Sequence, residues 1–264
     1  MWTGSVTRGL AALALCCIGA HSQAQNRATR TIHVFVALAD NEHQGIVPVP
    51  ARIGNGLDPG HNLYWGAAAG VKTFFTRSAD WSLWQCADKP KPEILERCIF
   101  KHRRHDVYLV ADAYRGVEIR QAILDFFSAA AGADAEPIPL SGANAPTLAA
   151  RGGSNLVAYV GHDGLMDFRL PIVPRQKNEI HRDAIILACA SKQYFGEPLK
   201  TSGAYPLLWT TGLMAPEAYT LKSALDGWIE HESGAQVHER AATAYDQYQK
   251  CGLRGARKLF ATGW

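Results

Sequence analysis

Apolar positions along the chain form short, nearly unbroken runs, separated by longer stretches where they recur at helical spacing. Residues 31–39 (TIHVFVALA), 107–111 (VYLVA), 156–160 (LVAYV) and 184–188 (AIILA) are runs of the first kind, and 207–211 is a weaker fifth. A run of that length without alternation is the pattern of a strand buried on both faces. In the intervening stretches Leu63, Ala67, Val71 and Phe74 predict a helix over 63–76. Ile119, Ile123 and Phe126 or Phe127 predict another over 117–131. From Pro216, a residue suited to a first turn, the pattern is helical nearly to the C-terminus and breaks at Ser233-Gly234. Residues 81–86 and 94–101 read as a hairpin across Asp88-Lys89-Pro90-Lys91-Pro92. Glycine- and proline-rich segments at 45–60 and 134–153 read as loops.

Strands alternating with helices imply right-handed crossovers, so the expected fold class is α/β. It is a mostly parallel sheet with helices on both faces, a three-layer α/β/α arrangement, with the β-hairpin as an insertion. No internal repeat or linker divides the chain. Its 264 residues are 47% hydrophobic and 19% charged, which excludes wholesale disorder and collagen-like or coiled-coil architectures. A net charge of +3 with no Lys/Arg block gives no basis for a nucleic-acid partner.

Residues 1–24 read as a signal peptide. Arg8 is the one Lys, Arg, Asp or Glu there, 10–20 is an apolar core, and Ser22-Gln23-Ala24 offers small residues at −3 and −1 of a cleavage site. The core is too short to span a bilayer, which takes about 20 apolar residues. Cys16 and Cys17 follow Leu15 and Cys16, neither the small residue of a lipobox, so a lipid anchor is not expected. The expectation is an exported protein, periplasmic or secreted, whose residues 25–264 form a single α/β domain without a transmembrane segment. Cys86, Cys98, Cys189 and Cys251 remain, and an oxidising compartment permits three pairings among them. Cys86 and Cys98 are placed for a local bond across the hairpin. Cys189 and Cys251 are then either bonded to each other or free.

In an open α/β sheet the ligand site lies beyond the carboxyl ends of the strands. The first strand gives way to Asp40-Asn41-Glu42-His43, the second to Asp112, the third to Gly161-His162-Asp163-Gly164 and the fourth to Cys189. The segment between the last two is long enough for a parallel crossover, so His162 and Cys189 are expected at one sheet edge, on strands roughly 5 Å apart. A cysteine ahead of a helix N-terminus and beside an imidazole gains thiolate character. The histidine then serves as acid/base to the nucleophile, with N–H groups near Gly164 and Cys189 holding an oxyanion.

A strand ending in His-Gly followed by one ending in Ala-Cys resembles the caspase, legumain and gingipain group of cysteine peptidases. The matching stretches are 156–164 (LVAYVGHDG) and 184–189 (AIILAC). The resemblance implies a caspase-like fold, a peptide or protein substrate, a His162–Cys189 dyad and no cofactor. Residues 207–219 are similar to the segment that borders that family's substrate groove. Asp163 stands where the family has its glycine, and Gly164 comes one residue late. Asp40, Asn41, Glu42, His43 and Asp112 are candidates for the substrate pocket, and the loop leaving the first strand is placed to overhang the site. Two other readings stay open. One is a binding or structural protein on the same scaffold, with Cys189 in a disulfide. The other is a metal-dependent hydrolase in which Asp40 to His43 and His162 gather an ion.

Overall fold

A computed structural model describes residues 1–4, 29–143 and 145–264. The expected signal peptide and Cys16 and Cys17 fall almost wholly outside the described residues. None of the described helices is long and apolar enough to cross a membrane.

Strand β1 (Arg30–Ala37) is followed by helix α1 (Val71–Arg77), the hairpin β2 (Trp81–Lys91) and β3 (Ile94–His102), then β4 (Val107–Tyr114) and α2 (Ile119–Ala130). A small hairpin, β5 (Glu136–Pro139) and β6 (Thr147–Ala150), precedes β7 (Leu156–Val160), β8 (Asp183–Leu187), α3 (Ser191–Ser202) and β9 (Tyr205–Thr210). Helices α4 (Ala218–Ile229), α5 (Gly234–Gln249) and α6 (Leu253–Leu259) lead to the short β10 (Phe260–Ala261). One sheet takes the order β10-β9-β8-β7-β1-β4-β3-β2, with β4, β1, β7, β8 and β9 mutually parallel and antiparallel strands at both margins. The protein is therefore α/β with a mostly parallel sheet, as its apolar runs lead one to expect.

Side chains alternate across each strand. Ile32, Val34 and Val36 face the layer containing α1, α4, α5 and α6, whereas Phe35 and Ala37 face α2 and α3. Beyond the reach of α2, the β5–β6 hairpin covers the second face, where Ile138 and Leu148 pack on Tyr108 and Val110. Both faces of the central strands are thus dry, which is why their sequence lacks alternation.

Four local expectations need correction. Helix 63–76 begins only at Val71. Before it, the Asn62 carbonyl accepts from Trp65, Gly66 and Ala67, and a Cβ on Gly66 would lie 2.3 Å from the carbonyls of Pro59 and Gly60. That close backbone approach displaces a regular turn. The 134–153 loop contains β5 and β6, four residues each, which carry two prolines and two alanines among their eight positions. The C-terminal helical stretch ends in β10, too short to show a period. Strand β2 runs on through Pro90 to Lys91, so the turn is shorter than 88–92; proline is tolerated because β2 is an edge strand.

Candidate active site

Chain order places β1 between β4 and β7, so the direction of winding reverses beside β1. The crevice outside the carboxyl ends at such a reversal is where open α/β sheets bind ligands. In the β7–β8 ladder Val160 is level with Leu187, and His162 and Cys189 each lie two residues further along. The two side chains therefore leave neighbouring strands at the same height, and both line one cavity of 440 Å³. Gly161 makes the exit from β7 possible, since a Cβ there would meet the Ala37 carbonyl oxygen at 3.0 Å.

His162 is held from two sides. Its Nε2 lies 2.6 Å from Asp167 Oδ2, and its carbonyl accepts from the Tyr159 hydroxyl at 2.8 Å. A carboxylate on Nε2 favours the tautomer with the proton there, leaving Nδ1 as a free acceptor. Cys189 precedes Ala190, which adopts the left-handed conformation at φ 47° and is pinned by its N–H to the Gly212 carbonyl at 2.8 Å. Left-handed backbone is uncommon for a residue with a Cβ, and such strain concentrates at functional corners. The Cys189 sulfur accepts from the Met214 N–H at 3.4 Å and sits 3.6 Å from the Met214 carbonyl oxygen. Helix α3 begins two residues after Cys189, which brings its positive end next to the sulfur.

The cavity walls come from two connections. One is the long loop after β1, which contributes Ile46, Val47, Leu63 and Tyr64; the other is the segment from Leu213 to Glu217 after β9, joined by Gln249 at the end of α5. Tyr64 is buried and lines the same cavity as Cys189 and Glu217. Burial, and then the negative charge of those two groups, raises its phenol well above the ordinary value. Asp163 is wholly buried. Its Oδ1 accepts from the Leu165 N–H, its Oδ2 has no partner among the described residues, and burial pushes the carboxyl up to about 7.

The chain matches no protein-family model, no curated protein and no solved structure.

Other residues singled out in the sequence lie elsewhere. Asp40, Asn41, Glu42 and His43 do not line the cavity. The Asp40 carboxylate caps its own turn, taking the N–H groups of Glu42 and His43 and the His43 ring nitrogen at 3.0 Å. Asn41 reaches the site indirectly, clamping both backbone groups of Val49, which does line it. Asp112 is fully buried in the sheet, closed by a two-pronged Arg97 contact and by His33 at 3.0 Å. The Gly164 N–H is engaged by the His162 carbonyl at 3.1 Å. Cys86 and Cys98 form a disulfide, whereas Cys189 and Cys251 are both thiols. Among the described residues the one set of three potential metal ligands within 4.8 Å of one another is Cys86, Glu96 and Cys98, where two members are already bonded together. Asp40, His43 and His162 make no such set.

Asp167, Tyr64 and Glu217 are part of the site without having been picked out from the sequence. Asp167 had a usable signal, a carboxylate five residues after a strand-end histidine. Glu217 falls within 207–219, the stretch likened to a groove border, but nothing marked it there individually, and Tyr64 had no signal because it arrives on an irregular loop.

Proposed function

We propose that the protein is a cysteine hydrolase of caspase-like fold acting on peptide or amide bonds. The observation that carries this reading is the level placement of His162 and Cys189 on adjacent parallel strands, facing one cavity at the winding reversal. Cys189 attacks the carbonyl carbon as a thiolate, after its proton passes to His162. The Met214 N–H, already aimed at the sulfur, is complementary to that negative charge. With Gly164 engaged, the backbone N–H groups of Asp163 and Cys189 are assigned to the oxyanion. His162 then protonates the departing amine, and water releases the acid from the thioester. Asp167 orients the ring and keeps Nδ1 available.

Cys251 is exposed and makes an internal reference for thiol reactivity. Under brief alkylation at neutral pH, followed by peptide mass spectrometry without reductant, Cys189 is expected to label faster than Cys251 and to slow in His162→Ala. Cys189→Ala should abolish hydrolysis. Asp167→Asn should lower kcat by roughly 10- to 100-fold with little change in KM, as loss of a ring-orienting partner does. A Cys189 no faster than Cys251, or linked to it, would instead favour a non-catalytic binding protein.

A further inference from the structure

We infer that Glu217 makes this site select substrates with a cationic side chain, arginine or lysine, at the residue whose carbonyl Cys189 attacks. The inference rests on the hydrolase reading above and names its substrate class. Apart from His162, Glu217 is the one ionisable acid or base among the cavity residues other than Tyr64 and Cys189 themselves. No Lys, Arg or His of the described residues forms an ion pair with it. Its Oε2 accepts from the Tyr219 hydroxyl at 2.8 Å and from Gln249 Nε2 at 3.1 Å. Both partners are neutral, so they fix the carboxylate without cancelling its charge. Tyr219 is itself held, stacked on Tyr248 with ring centres 4.1 Å apart.

Around this charge the walls are apolar: Ile46, Leu63, Met214 and Pro216. Long basic side chains suit that combination, because their methylene stems pack on apolar surface while the head meets a carboxylate. An apolar side chain would leave Glu217 covered and unpaired, which burial penalises. An acidic one would add repulsion at close range. Among the described residues Glu217 belongs to no set of three potential metal ligands within 4.8 Å of one another. Val47 and Leu213, 85% and 75% exposed at the mouth, offer further apolar contact to a chain lying across the cavity.

The test uses the protein purified from expression of the full chain and a set of short peptidyl amides with a fluorogenic leaving group. The set differs only at the residue before the scissile bond: arginine, lysine, citrulline, leucine or glutamate. Matching arginyl and citrullinyl chloromethyl ketones are scored by mass spectrometry at Cys189. Citrulline keeps the shape of arginine and removes its charge. The arginine substrate and ketone should exceed citrulline by at least about tenfold, the loss expected for one charged hydrogen bond. In Glu217→Gln that ratio should fall toward one, and Glu217→Asp should restore part of it. Cys189-dependent cleavage that favours leucine or glutamate would overturn the proposal. So would rapid iodoacetamide labelling of Cys189 with equal ketone rates; the hydrolase reading survives both results. Slow iodoacetamide labelling, together with no cleavage and no ketone adduct, would remove both proposals at once.

Discussion

Asp163 sits in surroundings that oppose the charge of its own carboxyl. It follows His162 directly, lies fully buried, and has one carboxylate oxygen without a partner among the described residues. Burial raises its carboxyl from 3.8 to about 7, and only the Leu165 and Met166 N–H groups oppose the rise. An acid raised in the folded state keeps a proton that the unfolded chain has already released. Its stabilising contribution is therefore complete below about pH 4 and is lost as pH rises toward about 7. Three units correspond to about 4 kcal/mol, an upper figure because local relaxation lowers it. Asp163→Asn removes the titration and keeps an oxygen for Leu165. In denaturant melts at pH 4 and pH 8, the variant should gain about 2–4 kcal/mol on wild type between the two. An unchanged difference between the proteins would mean that Asp163 is solvated and that its neutral form has no part in the site.

Among the described elements, the β2–β3 hairpin is the one fastened by a disulfide. Cys86 and Cys98 face each other in its ladder, close a loop with a sequence separation of 12, and sit at the sheet margin. A crosslink over a loop of that size stabilises by about 3 kcal/mol in the chain-entropy account. Replacing both with alanine should lower stability by about 2–3 kcal/mol in a denaturant melt. Cys189 alkylation should be left unchanged, because β2 is four strands from β7 in the sheet order. A collapse in Cys189 labelling would show that the margin and the site are coupled. This hairpin was readable in advance, since its two apolar segments flank a proline-rich turn and bring two cysteines opposite each other. The five parallel strands were readable for a similar reason, being buried on both faces. Pairing of β5 with β6 was not, because its strands are four residues each and hold Pro137 and Pro139. The site divides along the same line. His162 and Cys189 stand at strand ends and could be found. The cavity walls around Tyr64 and Glu217 come from connections without periodicity, and there the carboxylates after β1 drew attention away.

Across the whole molecule, the apolar contacts between sheet and covering elements are joined on one face by a buried set of charges. Arg97 on β3 lies opposite Asp112 on β4 in the ladder and binds both of its oxygens at 2.6 and 2.7 Å. Arg97 also pairs with Glu136 at the start of β5. His33 on β1 accepts the Arg151 N–H on Nδ1 at 2.9 Å, so its Nε2 carries the proton donated to Asp112, and burial keeps the ring neutral by lowering its affinity for a second one. Arg151, after β6, reaches Asp125 on α2 at 2.8 Å, and Asp125 also takes the Tyr114 hydroxyl at 2.7 Å. Burial alone pushes the Asp112 carboxyl up, but Arg97 and His33 outweigh it and hold it well below the usual carboxylate range. Sheet, small hairpin and helix layer are thus joined through one network, and it stands apart from the Cys189 cavity. Arg97→Met keeps the stem and strands the Asp112 charge, a change that costs about 3–5 kcal/mol when a buried pair is broken from one side. Asp112→Leu combined with Arg97→Met removes both charges and should recover most of that loss, since an apolar replacement of a buried pair is often close to neutral. Denaturant midpoints of the two variants and wild type decide the matter. If the double variant is no more stable than Arg97→Met, the contacts of Arg97 with Glu136 rather than with Asp112 hold the layers together.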